Sequence, residues 1–195
     1  MAQSAFEGLF GQVGIGSESS SVSFTGGTVI GRSYSATGDN SNYFVGAVGV
    51  GTYFPVTSSF LLGVGAEYSP IPGSNANYSI SVPSASYTGT GTYKKKDYYN
   101  LFISPAIAID KDKLAYAKVG YTGVNIETSS GGITDTSRYT GYSLGLGYKQ
   151  IIQGGLYAFG EVNYAAFSSQ SDGSGFSGTN KPTVTNVLVG LGYKF

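Results

Sequence analysis

Cysteine, histidine and tryptophan are all missing from the 195 residues. Without cysteine there is no disulfide, no thiol nucleophile and no thiolate metal site. Without histidine the commonest general base at neutral pH is gone. The carboxylates Glu67 and Glu161 stand beside no nucleophile constellation, so no enzymatic role is expected. Charge is scarce as well, at 11% of residues, and 11 Lys+Arg balance 11 Asp+Glu. A net charge of zero offers nothing to draw in nucleic acid. No run of 18 apolar residues occurs, which removes a transmembrane helix. The glycine-rich stretches 11–16 and 46–51 lack a following Lys-Ser/Thr and a helical pattern, so they are not phosphate loops. Met1-Ala2-Gln3-Ser4 lacks the basic and apolar segments of a signal peptide and reads as the start of a mature, already cleaved chain. No cofactor is expected.

What is present is glycine (31), tyrosine (17) and phenylalanine (11), in a chain of single-domain length that is 41% hydrophobic. The closing stretch organises the rest. Val187, Val189, Leu191, Tyr193 and Phe195 share one parity, and Asn186, Leu188, Gly190, Gly192 and Lys194 share the other. That is the period of a strand. The bulky set is apolar throughout and the other is mostly small or polar, the reverse of a soluble sandwich or lipocalin-type barrel. Apolar outside and glycine inside fits a wall that meets lipid.

The same alternation recurs along the chain. Leu9, Gly11, Val13 and Ile15 oppose Phe10, Gln12, Gly14 and Gly16; Phe60, Leu62, Val64, Ala66 and Tyr68 oppose Leu61, Gly63, Gly65 and Glu67. Tyr99 to Ile109, Ala115 to Tyr121, Tyr142 to Tyr148 and Leu156 to Ala166 give four further strands. The strand at about 43–54 admits two registers, with either Phe44/Val48/Val50/Phe54 or Tyr43/Val45/Ala47/Tyr53 outward. Pro105 lacks a ladder donor and predicts a nearby bulge. The expected fold is all-β: an eight-stranded antiparallel up-and-down transmembrane β-barrel, one domain over 1–195. Short turns at about 55–58, 110–113 and 150–154 alternate with long loops at about 17–42, 69–98, 127–137 and 168–181, and Thr25-Gly26-Gly27-Thr28 is the expected hairpin tip of the first loop. Such alternation puts the turns in the periplasm and the loops outside.

The span matches a bilayer. Phe60 to Tyr68 is eight steps of ~3.3 Å, which a tilt of about 40° projects to roughly 20 Å, close to the ~25 Å apolar band of such barrels. Tyr68, Tyr99, Tyr121, Tyr142 and Tyr164 then form an outer aromatic girdle, and Phe60, Tyr148, Tyr193 and Phe195 an inner one.

With these features the chain resembles the small eight-stranded outer-membrane barrels, such as the OmpA transmembrane domain, OmpX and the opacity-type proteins. The likeness covers the whole chain as architecture and its end as a motif. Family barrels close on a polar residue, a glycine and two alternating aromatic or apolar residues. Gly190, Tyr193 and Phe195 match, while Leu188 holds the polar position. The resemblance implies a bacterial outer-membrane location, an insertion signal read by the barrel-assembly machinery, a monomer, and a structural or surface-interaction role such as adhesion or recognition. A narrow channel for ions or small solutes, natural or engineered, is the alternative.

Inside, Gln12, Glu67, Asn100, Lys118, Glu161 and Asn163 form the expected polar network, since burying an unpaired ammonium costs several kcal/mol. The inward glycines at 14, 16, 63, 65, 145, 147, 190 and 192 add almost no volume and predict water-filled cavities, interrupted by Leu61, Tyr116, Phe159 and Leu188. At the base of the second loop, Lys94, Lys95 and Lys96, helped by Arg138, are expected to meet lipopolysaccharide phosphates in the outer leaflet. A solvated loop base is the competing reading.

Overall fold

The computed structural model describes residues 5–29, 31–168 and 179–195. Its strands, in chain order, are β1 (Gly8–Thr25), β2 (Gly27–Val29), β3 (Arg32–Gly38), β4 (Ser41–Pro55), β5 (Phe60–Ser69) and β6 (Ala76–Val82). They continue with β7 (Tyr87–Asp110), β8 (Lys113–Ser130), β9 (Ile133–Gln153), β10 (Leu156–Phe167) and β11 (Thr179–Lys194). The eight strands β1, β4, β5, β7, β8, β9, β10 and β11 pair antiparallel in that cyclic order, and β11 closes on β1 from Phe10↔Lys194 upward. The remaining three extend the wall beyond the ring: β6 pairs with the upper part of β7, β3 with β6, and β2 with β3.

The outward parity is the apolar one. Val13, Val48, Ile103, Leu146 and Val189 are 47–69% exposed, a surface that only hydrocarbon satisfies. For β4 the structure selects Phe44, Val48, Val50 and Phe54 outward. The reason is chemical, because the inward Tyr43 donates its hydroxyl to Glu18 and the inward Tyr53 hydroxyl is hydrogen-bonded to Ser104 at 3.1 Å. A phenol in lipid would have neither partner.

The turns are tight. Phe60 N–H donates to Thr57 Oγ1 at 3.0 Å, Asp110 pairs with Lys113, and Gln153 pairs with Leu156 across Gly154, whose φ of 58° suits glycine. The long stretches expected as loops are in large part strand. β8 and β9 run on to a two-residue turn at Gly131-Gly132, through the segment 127–137. β1 continues through Thr25, and β2 pairs with β3 from Gly27↔Tyr34 to Val29↔Arg32, so Thr25-Gly26-Gly27-Thr28 is not the first hairpin tip. Most of 168–181 and the start of the chain, 1–4, fall outside the described residues. Near Pro105 the β5 side pairs unbroken from Phe60↔Ile107 through Leu62↔Pro105, while on the β8 side β7 shifts register between Ala108 and Asp110, close to the expected bulge, and again between Lys95 and Tyr98.

Nor do the inward glycines open cavities. Six of them face a ring on the neighbouring strand: Gly51 opposes Phe10, Gly63 Tyr53, Gly65 Phe102, Gly147 Tyr116, Gly190 Phe159 and Gly192 Tyr157. At every one of these pairs a Cβ on the glycine would strike the ring. The glycines are the seats of the rings, so the lumen is filled. One apolar cluster closes the turn end (Phe6, Phe10, Leu61, Tyr157 and neighbours) and another the loop end (Tyr93, Tyr98, Ile126, Phe167 and neighbours).

Candidate functional site

Between the two apolar clusters lies a polar column. Lys118, at mid-β8, sits opposite Gly145, and that gap lets its ammonium reach both carboxylates of the lumen. Nζ is 2.7 and 2.8 Å from the two oxygens of Glu67 and 2.8 Å from Glu161. Tyr116 (2.7 Å) and Asn163 (2.9 Å) also donate to Glu161, while Asn100 reaches Glu67 at 3.5 Å. Five of the six residues expected to form the network therefore do so together. Gln12 joins from one side, accepting from Tyr157 at 3.1 Å.

Sequence reasoning missed two further charges in the column. Asn163 donates to Asn186 (3.0 Å), whose own amide donates to Glu18 (3.3 Å), and Glu18 pairs with Lys95 at 2.5 Å. Toward the turn end, the Lys149 ammonium is enclosed by the rings of Phe10, Tyr53, Tyr116 and Tyr157, with centroids at 3.8–5.2 Å. Its polar contact is with the Tyr157 hydroxyl at 3.5 Å. Cation–π attraction strengthens in such a dry site. Both Glu18 and Lys149 lie on the glycine parity of their strands, which is the signal that places them inside. Lys95, Lys118 and Lys149 balance Glu18, Glu67 and Glu161, so the buried formal charges cancel. The void between Glu18, Glu67, Asn163 and Asn186 is ≈ 10 Å³, room for about one water. Among the described residues no cluster of three or more His, Cys, Asp or Glu could hold a metal.

Lys95 therefore does not stand at the lipid rim. It is buried, between the rings of Tyr43 and Tyr98, because strand alternation turns it inward while Lys94 and Lys96 point out. Those two converge on Glu127 at 2.8 and 2.7 Å. Hydrogen bonds from Lys94 and Lys96 hold the Glu127 carboxyl below its ordinary range, and Glu127 in turn raises Lys96. Arg138 lies over the Tyr99 ring, 5.4 Å from its centroid, and donates to its hydroxyl at 2.9 Å. Asp97, brought outward by the bulge, accepts from Tyr68 at 2.9 Å, and this bond lowers its carboxyl. The aromatic girdle sits just beneath, with Tyr68 opposite Tyr99 and Tyr121 opposite Tyr142. Tyr164 is exposed near the same level, and Phe60, Tyr148, Tyr193 and Phe195 line the other rim. Of the closing motif, Gly190 is seated under Phe159, Tyr193 and Phe195 face outward with their rings 5.3 Å apart, and Leu188 is buried inside.

Above the cations the outward face becomes hydroxylic. Asn77, Thr92, Ser129 and Thr134 form one cross-strand row; Thr37, Ser79 and Thr90 form the next; Ser35, Ser81 and Thr88 form the highest. Thr37 and Ser79 are hydrogen-bonded at 3.0 Å, and Thr134 donates to Ser129 at 3.3 Å.

Several solved structures share this architecture. OprG of Pseudomonas aeruginosa matches with a TM-score of 0.62 at 14% identity, covering 100% of this chain and 99% of that one. Neisserial surface protein A gives 0.55 at 12%, covering 97% and 98%, and the attachment invasion locus protein Ail of Yersinia pestis gives 0.50 at 16%, covering 97% and 99%. At these identities the likeness is one of fold. No curated protein matches the sequence. The model of the outer membrane protein beta-barrel domain, however, matches residues 1–195, from one end of the chain to the other. With the ring of eight strands, the apolar outer wall and the filled lumen in place, the chain belongs to the outer-membrane β-barrel family.

Proposed function

We propose that this barrel serves as a structural and surface-recognition element of the outer membrane, presenting its extracellular sheet, and is neither a pore nor an enzyme. The observation that carries the reading is the lumen. Side chains occupy it from Phe6 to Phe167, and the void within the polar column holds about one water. An ion crossing it would have to part Lys118 from two carboxylates and pass the ring cage of Lys149. The rim supports a lipid partner: Lys94, Lys96 and Arg138 stand directly above the tyrosine girdle, where phosphates of lipopolysaccharide would lie. On this reading β11, with Gly190, Tyr193 and Phe195, is the strand that the barrel-assembly machinery engages, and the protein works as a monomer.

Detergent-refolded protein should migrate differently on a gel before and after boiling, and should show no discrete conductance steps in a planar bilayer. Stepwise, ion-selective current from the unmodified protein would replace this reading with the channel one.

A further inference from the structure

From the bilayer outward, the outer wall changes chemistry in an ordered way. First come tyrosines, then the cations Arg138, Lys96 and Lys94, then the three hydroxyl rows. The headgroup layer of a bilayer is roughly 5–8 Å thick on each side. Thr92 stands seven residues above Tyr99 in β7, which after strand tilt is roughly 15–18 Å above the girdle. On the same scale Lys96 falls at headgroup level, Arg138 and Lys94 at its outer edge within reach of long side chains, and the hydroxyl rows beyond it. Because this face has the opposite parity to the buried Ala76 and Tyr93, it looks sideways, toward neighbouring lipids, and not up into solvent.

A hollow of ≈ 430 Å³ lies on this sheet among Thr37, Asp39, Asn77, Ser79, Thr90 and Thr92, a volume within the range of small-molecule sites. Its lining offers hydroxyls and an amide as both donors and acceptors, and its single charged side chain is a carboxylate. That combination repels phosphate and sulfate and suits neutral sugar hydroxyls. Strand pairing fixes the groups in place, so a ligand need not order them.

We propose that the outward face of β3, β6 and β7 binds the neutral sugars of the outer-leaflet glycolipid whose phosphates lie against Lys94, Lys96 and Arg138. The inference rests on the rim reading given above. Wall and lipid match layer by layer: apolar band against acyl chains, cations against phosphates, hydroxyl rows against sugars.

The test compares the full-length protein in three kinds of vesicle: complete lipopolysaccharide, lipopolysaccharide truncated to its phosphorylated lipid base, and phosphatidylglycerol. The readout is the midpoint temperature of the heat-induced gel shift. Wild type should be most stable in the complete lipid. Ser79→Val/Thr90→Val/Thr92→Val, which keeps strand formers on an outward face, should lose at least roughly half of the increment that complete lipid gives over truncated lipid. It should match wild type in the other two. Binding of the isolated neutral core oligosaccharide by this variant should weaken about tenfold, as expected for one or two lost net hydrogen bonds. Lys94→Gln/Lys96→Gln should lose the increment of truncated lipid over phosphatidylglycerol; if it does not, the rim reading fails while the sugar increment remains separately measurable. The proposal is overturned if wild type gains nothing from the sugars, if the hydroxyl variant keeps the gain, or if sulfated saccharide binds the hollow better than neutral.

Discussion

Lys118 is the residue on which the interior depends most. Two carboxylates share it, and all three side chains are at least nine-tenths buried. Lys118→Met would leave Glu67 and Glu161 facing each other unneutralised, at a cost of about 3–5 kcal/mol. Replacing all three by apolar residues should restore much of that loss, because the desolvation of the ions disappears with their attraction. Urea unfolding of lipid-embedded single and triple variants measures both numbers, and an unaltered Lys118→Met midpoint would contradict the ionic account. Glu127 is the exposed counterpart. Lys94 and Lys96 depress its folded carboxyl, so its stabilisation is present above the unfolded value of about 4.3 and vanishes as pH falls through the depressed one. The gel-shift midpoint of wild type should therefore drop between about pH 5 and about pH 3 by more than that of Glu127→Gln. At this scale the sequence discloses what parity discloses. Lys118 and Glu161 are inward by alternation, and carrying the alternation one step further places Glu18 and Lys149 beside them. Lys95 is a different matter. Its inward turn sits next to a one-residue register shift, and nothing in Lys94-Lys95-Lys96-Asp97 marks where that shift falls.

Among the elements, the strands in the bilayer were legible and those above it only in part, as in the alternate spacing of Tyr78, Ile80 and Val82 in β6. Lipid demands an apolar outward face, which prints a period of two on the sequence. Beyond the bilayer the outward face of β3, β6 and the upper β7 to β9 no longer meets hydrocarbon, so serine and threonine occupy it and the composition reads as loop, although Ala76, Tyr93, Val124 and Ile126 still pack inward. Gly131-Gly132 was the available signal, a two-residue turn flanked by paired strands. The glycines misled in another way. Taken strand by strand they suggest empty space; only the cross-strand register reveals that Gly51, Gly63, Gly65, Gly147, Gly190 and Gly192 lie beneath rings from their neighbours and Gly145 beneath Asn163 and Lys118. β11 carries the clearest pattern and the clearest consequence. Deleting Val187–Phe195 would leave the edges of β1 and β10 unpaired in hydrocarbon, at several kcal/mol per unsatisfied backbone group. The truncated chain should show no heat-dependent gel shift and no protease-protected fragment in vesicles. A protected, heat-shifting product would refute the requirement for closure.

At the scale of the whole molecule, side chains are sorted by distance along the membrane normal and by distance from the barrel axis. Outward, the order is aromatic, aliphatic, aromatic, cationic, hydroxylic; inward, it is apolar, ionic, apolar. The first order was partly visible in the sequence, because girdle tyrosines recur at the ends of alternating segments. The inward order needed the ring itself, since the column from Lys149 to Lys95 draws its side chains from several strands that only closure brings together. The pairing of β11 with β1 has a further bearing, on time. Every other contact in the ring joins strands that neighbour one another along the chain, or are separated only by a short excursion, and can form by growth of a hairpin. This one joins Phe10 to Lys194 and cannot form until the intervening wall is nearly built. Closure is therefore the late step of folding, and the column of charges, which no open sheet could shield, assembles with it.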